Sequence, residues 1–246
     1  MNIIPSLLWP MNRVSDAIPL KGVHLWAWSL VRASFDLAAE ARLLSPVELG
    51  RLRRFRFEAD RVRFAISHAT LRRILSGYLA CAPDELHFST NPYGRPYLAK
   101  PATQLSFNLS HTSDVAILGL TCTAELGVDV ETIRPIERDV AQTHFSSREL
   151  ADLDSLSGPL WLEGFYNCWT RKEAILKAEG LGLNPPLAAF DVSLLPGSPP
   201  QLLNSLPSSR LTRAWKLVHL TPSHNTVGAL AISSEPSLLS CYTFGS

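Results

Sequence analysis

The sequence has no Cys-x-x-Cys pair. Its four cysteines, Cys81, Cys122, Cys168 and Cys241, lie far apart, which removes the usual spacing of a structural zinc or a dithiol redox site and leaves small buried side chains as their reading. No apolar run approaches the roughly 20 residues that a membrane helix needs. The first residues, Met1 to Pro10, lack a basic start and are broken by Pro5 and Pro10, so a secretion signal is not expected and the cytoplasm is the expected compartment. Neither sign of charge dominates: the net charge is +1, so the chain as a whole is neither a polyanion binder nor an acidic tail. No residue-level repeat is visible. What is present is 246 residues with 46% hydrophobic content, enough for one large or two small cores.

Charge is uneven locally. Arg51, Arg53, Arg54, Arg56, Arg61, Arg63, Arg72 and Arg73 crowd together, offset only by Glu58 and Asp60. Such a cluster fits a solvated helical face, a nucleic-acid patch or a site for a small polyanion, and composition does not choose between them.

The periodicities order the chain as two similar α+β halves. Val23–Leu30 alternates as a strand, Ser45 caps a helix that has Pro46 at its first position, and a longer helix over Glu58–Leu79 carries Phe64, His68, Leu71, Leu75 and Tyr78 on one face. Strands follow over 104–109 and Val115–Leu120. The second half has a strand at Leu126–Glu131, a helix capped by Ser146 with Glu149 as its capping-box partner, and a long helix over about Pro159–Glu179. Further strands are expected near 190–194, 215–220 and 226–232. The tail after Ser233 has little pattern and is expected to be loose.

Two stretches carry chemistry. In Trp169-Thr-Arg-Lys172-Glu173-Ala-Ile-Leu-Lys177, residues 169, 173 and 177 stack on one helical face, with Lys172 beside them, and Gly180 suits the left-handed end of the helix. In Gly127-Val-Asp129-Val-Glu131, a strand sends Val128 and Val130 to a core and both carboxylates to the other side, an arrangement that a hard cation relieves. A solvated Glu/Lys helix face and an edge strand with two solvated acids remain open readings of the same residues.

Taken together, and with Tyr93-Gly94-Arg95-Pro96, Phe107-Asn108-Leu109-Ser110-His111 and Phe145-Ser146-Ser147-Arg148-Glu149 in the same order, these stretches resemble the signature of the 4'-phosphopantetheinyl transferases of the surfactin-synthetase-activating type. The resemblance runs from about Leu44 to Val192. It implies an α+β fold of two similar α/β subdomains related by a pseudo-twofold axis, with the ligand in the cleft between them. The corresponding division is residues 1–121 for the nucleotide end of coenzyme A and 122–246 for metal and pyrophosphate.

The resemblance also implies a reaction: the 4'-phosphopantetheine arm of coenzyme A passes to a serine of an apo carrier protein, and adenosine 3',5'-bisphosphate leaves. Carrying the motifs over, Asp129, Glu131 and Glu173 are the expected ligands of Mg2+, for which Mn2+ can substitute, and Lys177 the contact to pyrophosphate. Lys172 is read as a phosphate contact, although it sits about 100° around the helix from Glu173 and also fits a solvated charge. Asp129, Glu173 and Lys177 form the catalytic set. Glu173 or a metal-bound water is the base toward the serine. Trp169 is expected to pack the helix. Ser110 and His111 are expected at the nucleotide and its 3'-phosphate, Arg95 and Pro96 along the adenine, and Arg51 and Arg63 at the phosphate. Phe64 replaces a small polar residue that often follows the second of these arginines. His68, on an apolar helix face, is expected in the core rather than at a ligand.

The implied partner is an acidic helical carrier protein of fatty acid, polyketide or nonribosomal peptide synthesis. It would be met by spare arginines of the Arg51–Arg73 cluster or by the region from Arg134 to Phe145. No nucleic acid or membrane partner is implied, and members of this type are monomers. Two rival functions use parts of the same sequence. A nucleic-acid module built on the arginine cluster would need neither Asp129 nor Glu173, and an inactive carrier-binding relative would not need all three acids intact.

Overall fold

The computed structural model describes residues 4–5, 9, 22–31, 36–182 and 186–245. In chain order the elements are β1 (Ile4–Pro5), β2 (Gly22–Ser29), α1 (Leu37–Ala41), α2 (Pro46–Leu52), α3 (Glu58–Leu79), β3 (His87–Thr90), β4 (Pro96–Lys100), β5 (Ser106–His111) and β6 (Val115–Thr121). They continue with β7 (Leu126–Thr132), α4 (Arg138–His144), α5 (Ser147–Asp154), α6 (Gly158–Glu179), β8 (Phe190–Val192), β9 (Leu202–Ser205), β10 (Lys216–Thr221), β11 (Thr226–Ile232) and β12 (Leu238–Thr243). The four expected helices are found close to their expected bounds, because their start signals are realised, while the short α1 and α4 were not expected. Ser45 and Ser146 each cap a helix, with Glu48 and Glu149 returning the bond to the cap residue.

Two four-stranded sheets, ordered β12-β2-β6-β5 and β1-β10-β11-β7, form the frame. Val23, Leu25, Val115 and Ile117 of the first sheet share one cluster with Val128, Val130, Leu220 and Leu230 of the second, so the sheets face each other across a common core. The opposite face of the first sheet, with Trp26, Trp28, Leu118 and Leu120, packs on Ile66, Leu71 and Leu75 of α3. The opposite face of the second, with Ala229 and Ala231, packs on Phe165, Ala174 and Ile175 of α6. Strands β6 and β11 are buried throughout, as expected of strands covered on both faces.

The tail is not loose. Residues Leu238–Thr243 form β12, parallel to β2 with Leu238 opposite Gly22 and Tyr242 opposite Trp26, and the Tyr242 ring lies 4.8 Å from that of Trp26. An edge strand half covered on both sides shows no alternation, which hid it in the sequence. The last strand thus joins the first-half sheet, while β1 pairs with β10 in the second.

From β2 to β6 the order is strand, three helices, two-stranded hairpin, strand, strand, and it repeats from β7 to β11. The structure also reveals a residue-level correspondence. In the first half, Glu48 accepts from Nε of the buried Arg72 at 2.9 Å, and Arg72 Nη1 donates to the carbonyls of Pro83 and Leu86 and lies over the Phe88 ring. In the second, Glu149 pairs with the buried Lys172 at 2.8 Å, and Lys172 donates to the carbonyls of Leu187 and Phe190 and lies over the Phe190 ring. Each capping glutamate therefore ties a short helix to a cation on the long helix and to the hairpin beyond it. The repeat consists of a serine, a glutamate and a cation of either kind, too little for sequence comparison to detect.

Candidate functional site

Gly127 sets the distance between β7 and α6. A Cβ at this position would overlap the Ala174 carbonyl oxygen and the Ala178 backbone nitrogen, so only glycine lets the helix lie this close. The alternation of β7 then works as expected: Leu126, Val128 and Val130 enter the core between the sheets, and Asp129 and Glu131 lie on the α6 side with Gly127.

Asp129 is buried. Its Oδ1 accepts from Lys177 Nζ at 2.5 Å and from Ser110 Oγ at 2.9 Å, and Lys177 also donates to Ser110 Oγ at 2.8 Å. Its Oδ2 is buried with no hydrogen-bond partner. Burial and then Asp129 push the Glu131 carboxyl up to about 7, with Glu173 adding to the rise and Lys177 and Arg134 opposing it. Burial and then Asp129 likewise raise Glu173, against Lys177. Three carboxylates are thus crowded together with one lysine among them. Among the described residues, no group of three or more Asp, Glu, His or Cys side chains is arranged to hold a metal ion by itself.

The seam between the halves is where β5 and β7, edge strands of different sheets, lie side by side. Alternate side chains of β5 and of the residue that follows it lace it. Asn108 Oδ1 accepts from Val128 N at 2.8 Å, Ser110 reaches Asp129, and Thr112 Oγ1 meets Thr132 Oγ1 at 3.1 Å. The sequence reading missed Asn108 and Thr112 in this role; the alternation of polar residues at 108, 110 and 112 was its only signal.

At the end of β5, His111 lies at the mouth of a cluster of cationic groups. Burial, then His68, Lys177, Arg51 and Arg63 in that order, lower its pKa below the usual imidazole value. Arg63 Nε donates to the Ser113 carbonyl at 2.8 Å and Nη1 reaches Asp60 at 3.3 Å. Arg51 is exposed, with its guanidinium 5.3 Å from the Phe64 ring centroid. Arg72 and Arg73, counted with the same cluster in the sequence, are instead paired with Glu48 and Glu40.

Four sequence expectations change. Lys172 is not at the site: its side chain is fully buried and engaged by Glu149 and two carbonyls, out of reach of any phosphate. The helical rotation that made its assignment the weaker one turns it to the protein interior. Ser110 is engaged by Asp129 and Lys177, so it orients the acid–lysine pair. Arg95 lines, with Pro96, Tyr97 and Phe107, a cleft of about 310 Å³, but its charge is spent inside the protein. Its guanidinium donates to the carbonyls of Ala178 at 2.7 Å and Leu126 at 3.1 Å and to Glu125 at 3.1 Å. Those partners include the C-terminal end of α6, where a cation is favoured. Asn91, not singled out in the sequence, completes this clamp by donating to the Gly180 carbonyl at 2.8 Å. His68 is not an apolar core residue: it is half-buried, with Nδ1 3.0 Å from Glu48 Oε1. Trp169 packs on Phe165 and His144.

This is an α+β protein with an acid–lysine cluster and a group of cationic side chains meeting at the seam of two similar halves. Residues 125–232 match the model of the 4'-phosphopantetheinyl transferase superfamily, and residues 26–123 match that of the N-terminal part of a 4'-phosphopantetheinyl transferase. The 4'-phosphopantetheinyl transferase HetI of Nostoc sp. is 35% identical over 215 residues, covering 86% of this chain and 87% of its own. The chain therefore belongs to the 4'-phosphopantetheinyl transferase superfamily and is an enzyme of that class. A putative 4'-phosphopantetheinyl transferase of Synechocystis sp. is 33% identical over 71% of each chain. The 4'-phosphopantetheinyl transferase Sfp of Bacillus subtilis is 30% identical over 61% of this chain and 66% of its own. Among the described residues no helix is long and apolar enough to cross a membrane.

Proposed function

We propose that this enzyme, of the Sfp type, transfers the 4'-phosphopantetheine arm of coenzyme A to a serine of an apo carrier protein, with Mg2+, and releases adenosine 3',5'-bisphosphate. The observation that carries the reading is the seam itself, where three carboxylates and Lys177 meet the cationic side chains His111, Arg51 and Arg63, the two kinds of charge that a metal-bound pyrophosphate and a further phosphate would need.

The acidic side fits a hard cation. The donor set is all oxygen, Asp129 has a buried acceptor without a partner, and Glu131 and Glu173 are raised by burial and then by the Asp129 charge, both of which a cation would offset. Mg2+ commonly takes only one or two carboxylates and completes its shell with water and substrate phosphate, so a finished protein cage is not required. Asp129, Glu131 and Glu173 would hold it. When bound, Mg2+ supplies charge stabilisation at the pyrophosphate as the phosphorus–oxygen bond breaks.

The chain's own residues do the rest. Lys177, kept in place by Ser110 and Asp129, offers a cation to the pyrophosphate oxygens. Glu173, or a water beside it, is the group available to accept the proton of the carrier serine as its oxygen attacks the phosphorus. His111, Arg51 and Arg63 bind the 3'-phosphate of the leaving nucleotide, and Pro96 with the stem of Arg95 lines the adenine. The exposed Arg53, Arg54, Arg56, Arg134 and Arg138 are the charges available to an acidic carrier. The test is intact mass spectrometry of an apo carrier protein incubated with coenzyme A, Mg2+ and this enzyme. Gain of one phosphopantetheine arm at a single serine is expected, and an unmodified carrier across fatty acid, polyketide and nonribosomal peptide types would refute the reading.

A further inference from the structure

One histidine beside the cationic cluster was expected in the core and is half-buried instead, paired with a carboxylate. His68 stacks on the Phe64 ring at 4.1 Å between centroids, and Arg51 from the end of α2 lies over the same ring. The neighbouring Arg63 is hydrogen-bonded to Ser113, just past His111. These contacts gather the end of α2, the start of α3 and the end of β5 around one point. Of the side chains that act on His111, His68 has the largest effect.

Its polar surroundings are directional. Burial would raise the Glu48 carboxyl, but hydrogen bonds from His68, Arg72 and Ser45 overturn that and bring it to about 2, so it is ionised throughout the neutral range. An ionised carboxylate on Nδ1 fixes that nitrogen as the one that carries a proton and leaves Nε2 as the free face of the ring, as in other carboxylate–histidine pairs. Among the described residues Nε2 has no hydrogen-bond partner, and the side chain is 19% exposed. Arg72 shares the Glu48 carboxylate, so the negative charge behind the imidazole is neutralised and does not oppose an anion in front of it.

We propose that His68, oriented by Glu48, is a further ligand of the 3'-phosphate and so determines specificity for donors that carry one. The inference rests on the coenzyme A reading above. It gives the site a second histidine on a rigid helix, where Phe64 supplies a stacking platform and no hydroxyl.

Calorimetry with adenosine 3',5'-bisphosphate and with adenosine 5'-monophosphate, on the wild type and on His68→Gln, separates the two claims because neither ligand requires transfer. His68→Gln is expected to weaken the bisphosphate about tenfold, the equivalent of ~1.4 kcal/mol, and to leave the monophosphate within about twofold. Equal weakening of both ligands, or of neither, would overturn the role of His68 while leaving the coenzyme A reading intact. A wild-type protein with no preference for the bisphosphate would overturn both. Should the variant not fold, nitrogen-15 NMR of the wild-type imidazoles decides: the His68 Nε2 signal is expected to shift with the bisphosphate and not with the monophosphate, and an unmoved signal refutes the proposal.

Discussion

Replacing Lys172 by Met keeps a linear side chain of similar volume and removes its charge, which separates a structural lysine from a phosphate ligand. In the structure this would strand the fully buried Glu149 and leave the carbonyls of Leu187 and Phe190 without their donor. Breaking a buried ion pair from one side costs about 3–5 kcal/mol, because the remaining charge stays in the interior. Glu149 still accepts from the Ser146 and Val192 backbone amides, which places the expectation toward the lower end. At about 2–4 °C per kcal/mol for a chain of this size, a loss near 3 kcal/mol lowers the thermal midpoint by about 6–12 °C. Circular dichroism melts check this, with coenzyme A affinity measured by calorimetry well below the new midpoint, where it is expected to stay near the wild-type value. A variant that melts like the wild type but loses affinity would show that Lys172 reaches the ligand and that the packing argument is wrong.

Three other outcomes follow from the same contacts. Gly127→Ala is expected to push α6 off β7 and destabilise by about 1–3 kcal/mol, since the atoms in the way are backbone and cannot swing aside. It would also lower transfer by drawing Lys177 from Asp129; wild-type turnover in urea-validated folded protein would contradict it. Arg95→Met leaves two helix-end and strand carbonyls without a donor, and a loss of about 1–3 kcal/mol in urea unfolding is expected, with partial recovery in Arg95→Lys; no change would place the guanidinium elsewhere. The pH dependence has a definite sign. A carboxyl raised to about 7 when folded binds its proton more tightly folded than unfolded, so its contribution is present below about pH 4.5 and is lost as pH rises through 7. Metal-free protein in chelator should therefore lose stability between pH 5 and 8, and Glu131→Gln should flatten that slope; an unchanged slope would remove Glu131 as its source.

Much of the fold was legible because it is written in short-range signals. Ser45 and Ser146 with their glutamates, Gly180 at the end of α6 and the alternation of Val128 and Val130 each act within a few residues. Features that depend on distant partners were not legible. The β12 strand has no pattern until β2 lies beside it, and the reach of Lys172 to Glu149 depends on how α5 packs against α6. Helical spacing alone brought Glu173 and Lys177 to one face, and the structure adds Asp129 and Ser110 as the partners of Lys177. Arg95 was recognised as a position of interest, but that its charge would be absorbed by carbonyls of Ala178 and Leu126 required the hairpin to be placed against the helix end.

The most direct test of the central claim compares Asp129→Ala and Glu173→Ala with the wild type in two measurements, phosphopantetheine transfer to an apo carrier with Mg2+ and coenzyme A binding by calorimetry. If these carboxylates act on the breaking pyrophosphate, transfer falls by about 10²–10³, corresponding to a loss of roughly 3–4 kcal/mol in the transition state. Coenzyme A binding would stay largely intact, chelation would abolish wild-type transfer, and Mn2+ would restore part of it. Folded variants of both residues that kept near wild-type transfer with Mg2+ would contradict the account.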